Sequence, residues 1–292
     1  MNNRQKSLLF VHLSVLLFGL PGVIGKILTY SPLQLTWFRV FLASLTLLLI
    51  IKWQKENFLG FKFKDFLWLL VAGSLLAFHW GTFFWSVKLS TVGIGLLSYS
   101  TFPIFTVFLE PFLLKSDFNR NNIIFALLCF SGVLIMVPEF RLTNQVFLGI
   151  IWGVISGLSF SLLTIINRRL SPKYSSLILA FYQQFLAALW LLPLFLSSAV
   201  SLKFSLKSII YLLVLGIICT AGAHTLFIKA LKYLEAQTSS LISALEPVYG
   251  IIFGYFFLKE VPGLKTLSGG ALILASVISV SLLNLRKNRE RL

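Results

Sequence analysis

The chain is a succession of apolar runs, each near the length of a bilayer crossing, separated by short loops that carry most of the charge. A helix needs about 20 consecutive apolar residues to span the hydrocarbon. Ten stretches fit that description: 7–28, 33–51, 65–87, 93–114, 121–138, 147–167, 177–197, 208–231, 236–258 and 265–285. The pattern predicts an all-α integral membrane protein with ten transmembrane helices. Composition removes the soluble alternative. Of 292 residues 58% are hydrophobic and 12% charged, with a mean hydropathy of +0.91, more apolar side chain than a soluble domain can hide.

A net charge of +16 would point to nucleic acid in a soluble protein. Here the basic residues lie in loops and tails, and they sort by side. With a cytoplasmic amino terminus, 17 of the 25 lysines and arginines fall inside and 7 outside, leaving Arg39 within a span. Both termini are therefore expected in the cytoplasm, with the chain multi-pass in the inner membrane of a prokaryote. The first apolar run lacks a small-x-small cleavage site and reads as a retained helix. Cys129 and Cys219 stand singly in separate runs and read as packing residues, with no metal or redox spacing.

Self-comparison divides the chain. FRVFLASL (38–45) aligns with YQQFLAAL (182–189) at an interval of 144 residues, and the same interval pairs Lys88 with Lys232, Leu97 with Leu241, Pro103 with Pro247 and Lys115 with Lys259. Two five-helix halves are expected, 1–140 and 141–292. Because five is odd, the second half enters the membrane from the opposite side. Such inverted repeats place a substrate site near the midplane, between the halves.

Two segments then carry a family resemblance. FGLPGVIGK (18–26) and ALEPVYGIIFGYFFLKEVPGLKTLSGGALILASV (244–277) resemble the first-helix and the ninth- and tenth-helix signatures of the EamA branch of the drug/metabolite transporter superfamily. That resemblance implies ten helices, two inverted repeats, a central cavity and movement of small metabolites. It leaves the substrate open. In the first half Ser116 stands where the second half has Glu260, and Glu110 lies before it.

Ionisable groups inside a membrane are costly and usually face a bundle interior or a water-filled path. Ser239, Ser243, Glu246 and Tyr249 form one polar stripe at helical spacing, either facing a cavity or holding the helix pack together. Tyr99, Pro103, Thr106 and Glu110 form a similar stripe, with Glu110 near enough to the membrane edge to snorkel or to pair with Lys115 or Arg120. Pro103 and Pro247, at equivalent places, are expected to bend helices that line a central path. His79 and His224 sit mid-span at comparable depth, as proton carriers, substrate ligands or neutral packed imidazoles. Trp80, with Phe83, Phe84 and Trp85, offers an aromatic pocket or a lipid-facing belt. Arg39 has three open roles: binding a substrate carboxylate, pairing with Glu246, or snorkelling outward. Gly19, Gly22 and Gly25 beside Pro21 favour close helix contact.

These features predict a secondary transporter of a small organic solute, an amino acid or related amphipathic compound, working by alternating access and exporting it. Expected partners are that solute, the lipid bilayer and, as one option, protons for coupling; no cofactor, metal or nucleic acid is expected. The competing class is a membrane enzyme acting on lipid or isoprenoid, which needs acidic or histidine clusters that nine acidic residues do not supply. The absence of a phosphate-binding glycine loop argues against direct ATP drive.

Overall fold

The computed structural model describes residues 2–56, 60–115, 122–198 and 202–289. Ser116, Arg120 and Arg291 lie outside the described residues, as do the side chains of Leu241 and of the basic residues beyond 279. All regular structure among the described residues is helical. The helices are α1 (Asn3–Phe18), α2 (Leu20–Ile27), α3 (Pro32–Gln54), α4 (Phe63–Leu89), α5 (Val92–Tyr99), α6 (Phe102–Leu114), α7 (Asn122–Met136), α8 (Gln145–Leu170), α9 (Ser176–Ser197), α10 (Leu206–Leu213), a π-helical stretch (Val214–Gly222), α11 (Ala223–Leu231), α12 (Ala236–Ser243), α13 (Glu246–Leu258) and α14 (Leu264–Arg289).

Among the described residues seven helices are long and apolar enough to cross a membrane: Asn3–Ile27, Pro32–Gln54, Phe63–Leu89, Val92–Leu114, Gln145–Leu170, Ser176–Ser197 and Leu206–Leu231. In the expected fifth, ninth and tenth spans the apolar helices counted among the described residues are shorter, Ile123–Met136, Glu246–Leu258 and Leu264–Ser279, the last being the part of α14 whose side chains are described. The ninth segment is interrupted at Ala244–Leu245, as the fourth is at Ser100–Thr101.

That interruption corrects the expectation of proline bends within continuous helices. Pro103 and Pro247 each occupy one of the first two positions of the helix that follows a break, after Ser100–Thr101 and Ala244–Leu245. A proline costs least there, because the amide it lacks has no intrahelical partner. Side-chain caps fix other starts. Ser31 and Gln34 form a reciprocal capping box at α3, Thr91 caps α5 through Ile94 N–H, and Ser175 caps α9.

Element boundaries recur at the 144-residue interval. It carries Val92–Tyr99 onto Ala236–Ser243, Phe102–Leu114 onto Glu246–Leu258, and the left-handed Lys115 onto the left-handed Lys259 (φ 56° and 59°). Packing follows the same relation. α3 lies against α9 and α7 against α14, each packing on its own counterpart, while α4 on α8 corresponds to α11 on α1.

Polar contacts tie both ends. Asp65, almost fully buried at the start of α4, receives Lys173 Nζ at 3.1 Å on both carboxylate oxygens and Tyr174 Oη at 2.9 Å. Arg168 donates to the terminal carbonyls of α11, Leu231 at 2.8 Å and Lys232 at 3.2 Å, as Lys26 donates to the Ser90 carbonyl just beyond α4 at 2.6 Å. Glu260 accepts the first amide of α5, Val92 N–H, at 2.9 Å. Glu260→Ala is expected to cost about 1–2 kcal/mol, read as a lower midpoint of thermal unfolding in detergent. An unchanged midpoint would show that this contact carries no weight.

Candidate transport site

Several of the broken and long helices converge on one polar and aromatic centre. Arg39, on the buried face of α3, is fully enclosed. Its guanidinium carbon lies 3.3 Å from the centroid of the Trp80 indole and 5.5 Å from that of Phe84, within cation–π range of both. Its Nε donates to Thr220 Oγ1 at 3.0 Å. Thr220 in turn donates to the Leu215 carbonyl, five residues back, at 2.6 Å, so the π-helical stretch presents the hydroxyl that orients the arginine. At Gly216 an added Cβ would fall 2.5 Å from Leu42 Cβ, which is why α3 can come this close.

Nε is satisfied; Nη1 and Nη2, also buried, have no partner. The snorkelling and ion-pair readings of Arg39 are thereby corrected. The residue is enclosed by Trp80 and Phe84, and no hydrogen bond joins it to Glu246. Glu246 opens α13 at 3% exposure with Oε2 unpartnered, within electrostatic range of Arg39 and Tyr99.

His79 sits one residue before Trp80 on α4. Its Nδ1 lies 2.9 Å from Ser156 Oγ and 3.1 Å from Ser156 O, and its Nε2 is buried and unpartnered. Rings enclose it: Trp80 at 4.5 Å, Phe160 at 4.9 Å and Tyr99 at 5.4 Å between centroids. Phe227 and Phe18 extend the wall, at 5.6 Å from Phe160 and 6.0 Å from each other. Of the aromatic run on α4, Trp80, Phe83 and Phe84 face inward, while Trp85 is about half exposed. His224, on α11, is fully buried, with Nε2 3.0 Å from Gln183 Oε1.

The expected residues Arg39, His79, Trp80, Tyr99, His224 and Glu246 thus come together. Others do not. The break after Ser243 splits the anticipated α12–α13 stripe. Ser243 bonds back to Ser239 O at 2.9 Å, and partly buried Tyr249 backs onto Gly19 at the α1–α2 junction, where an added Cβ would meet its Cβ at 2.9 Å. Glu110 is buried past Thr106 on α6 and does not snorkel. Residues unmarked in the sequence reading join the centre: Thr220, Gln183, Asn167, Ser156, Phe160 and Phe227. One signal for Gln183 was present, since it occupies the position of Arg39 in the aligned FRVFLASL and YQQFLAAL segments.

A model of the EamA-like transporter family matches residues 5–137 and again 147–282. The chain belongs to this family. An uncharacterised transporter of Helicobacter pylori is 28% identical over 96% of each chain. A protein named an S-adenosylmethionine uptake transporter from Rickettsia prowazekii is 24% identical over 85% of this chain and 82% of that one. A match from Archaeoglobus fulgidus, also an uncharacterised transporter, reaches 32% identity over 50% of each chain. A solved crystal structure superposes with a TM-score of 0.72 at 16% identity, covering 97% of this chain and 98% of its own, which establishes a shared fold. The activity is accordingly transport across a membrane, and enzymatic turnover of lipid is set aside.

Proposed function

We propose that this transporter moves a small amphipathic organic metabolite bearing an amino-acid head across the cytoplasmic membrane, by alternating access between two inverted five-helix halves, 1–140 and 141–292. Both termini face the cytoplasm in this reading, and ten segments cross the bilayer. The recurrence of element boundaries at 144 residues supports the repeat, as does the packing of α3 on α9 and α7 on α14.

One observation carries the substrate reading: Arg39 Nη1 and Nη2 and Glu246 Oε2 are buried in the same centre without partners. Leaving such groups unpaired is expensive, so a ligand supplying both an anion and a cation relieves both. A carboxylate matches the guanidinium fork, and an ammonium matches Glu246. Trp80, Tyr99 and Phe160 cover the apolar part. S-adenosylmethionine, named for the Rickettsia relative, carries such a head and belongs to the class. Pro103 and Pro247 start the half-helices whose breaks face this centre, while Glu110, Ser243 and Tyr249 act as supports.

Export is the proposed direction, with the inward movement named for the Rickettsia relative as its alternative. Protons are the proposed coupling ion, carried at Glu246 with His79 and His224 nearby. Radiolabel counterflow in proteoliposomes preloaded with amino acids, amines and organic acids tests the core reading. Accumulation is expected only for compounds with both charged groups, and silence from folded protein across the panel would overturn it. Glu246→Gln is expected to lower exchange at least about tenfold with the elution profile of folded protein retained; wild-type exchange by the variant would remove Glu246 from the site.

A further inference from the structure

Beyond the charged head, the centre contains a second set of buried polar groups. Gln183 Nε2 donates to Asn167 Oδ1 at 2.6 Å, and Gln183 Oε1 lies 3.0 Å from His224 Nε2. This chain joins α8, α9 and α11, and all three residues are fully buried. Both of its ends are open: Asn167 Nδ2 and His224 Nδ1 have no partner, and neither does the buried hydroxyl of Thr164, one turn before Asn167.

The chain is continuous with the site. Ser156, Phe160, Thr164 and Asn167 recur at helical spacing along one face of α8. The first holds His79, the second packs tilted or edge-on among His79, Tyr99 and Phe227, and the last holds Gln183. On the opposite wall Thr220, His224 and Phe227 follow each other at steps of four and three residues, so the group that orients Arg39 and the group that ends the chain share a face. Gln183 occupies the repeat position of Arg39. The two halves therefore present different chemistry at equivalent places, a cation in the first and neutral donors and acceptors in the second.

We propose that Thr164, Asn167, Gln183 and His224 form a second recognition pole, which reads a neutral hydrogen-bonding group (amide, hydroxyl or heterocycle edge) at the end of the substrate remote from the head bound by Arg39. The inference rests on the transport reading above. Its physical basis is the cost of buried polar groups: a tail that completes the open valences is favoured over an apolar tail of the same size, which strands them. Purely apolar tails are selected against.

Counterflow with two matched pairs tests this, tyrosine against phenylalanine and glutamine against methionine. The wild-type protein is expected to prefer the polar-tailed member of each pair at least about tenfold. Thr164→Val keeps volume and removes one hydroxyl; Gln183→Met removes the amide. Each is expected to reduce the preference towards one by slowing the polar-tailed member more than the apolar one. Equal loss for both members would mean that the chain only supports the fold, and an unchanged ratio would mean that the tail is read elsewhere; either overturns the proposal. Transport of all four at equal rates by wild-type protein overturns it while leaving the transport reading intact. No transport of any of the four would remove the amino-acid head itself, and the pole with it.

Discussion

Arg39→Lys is expected to slow exchange by about a hundredfold, the kinetic equivalent of roughly 3 kcal/mol, while the protein remains folded and monodisperse. Lysine retains the charge, so a loss of this size would come from geometry. The guanidinium carbon lies over Trp80, 3.3 Å from the ring centroid, and the group is anchored through Nε to Thr220, leaving both Nη atoms unpartnered. An ammonium has no such fork, stacks less well, and holds a carboxylate through one point. Counterflow at saturating and limiting substrate checks the prediction. Near-normal rates in Arg39→Lys would mean that only the charge matters, and a collapse of the folded peak would mean that Arg39 is structural.

Gly269→Val is expected to abolish folded yield or lower stability by about 3 kcal/mol or more, a large part of the margin of most proteins. α7 and α14 cross with glycine against glycine. A Cβ at Gly269 would run into the carbonyl oxygen of Gly132, and one at Gly132 would lie 2.7 Å from the carbonyl oxygen of Gly269. A rotamer change cannot move backbone, so the helices must separate. Gly81→Ala is the matched control. Nothing lies within 4 Å of an added Cβ there, and the midpoint should hold or rise because alanine favours helix. Equal behaviour of the two variants in size-exclusion and thermal unfolding would refute the crossing. The glycines of LSGGALILAS thus let the backbones of α7 and α14 approach closely.

Much of the plan could be read without coordinates. Seven of the apolar runs coincide with helices long enough to cross a membrane among the described residues, because every backbone group in hydrocarbon must be satisfied within the segment. The equivalence of Pro103 and Pro247 was visible because a single interval related several residues at once. Boundaries were less legible. The α12–α13 break follows from a proline whose preceding residues leave the helix, and apolar periodicity continues across it. The stripe through Ser239, Ser243, Glu246 and Tyr249 was drawn on one continuous helix, and the structure divides it between α12 and α13.

The one-dimensional pattern alone determined the membrane class, the helical content, the 144-residue relation and a short roster of buried ionisable residues, because hydropathy and charge act locally along the chain. Tertiary structure alone decided which of these residues meet. Arg39 could equally have paired with Glu246 or reached water; its capture by Trp80 and Thr220 depends on α3, α4 and the π-helical turn arriving at one place. Gln183 and Asn167 are ordinary amides in the sequence. They enter the site because packing brings α8, α9 and α11 together there, removing the water that would otherwise satisfy them.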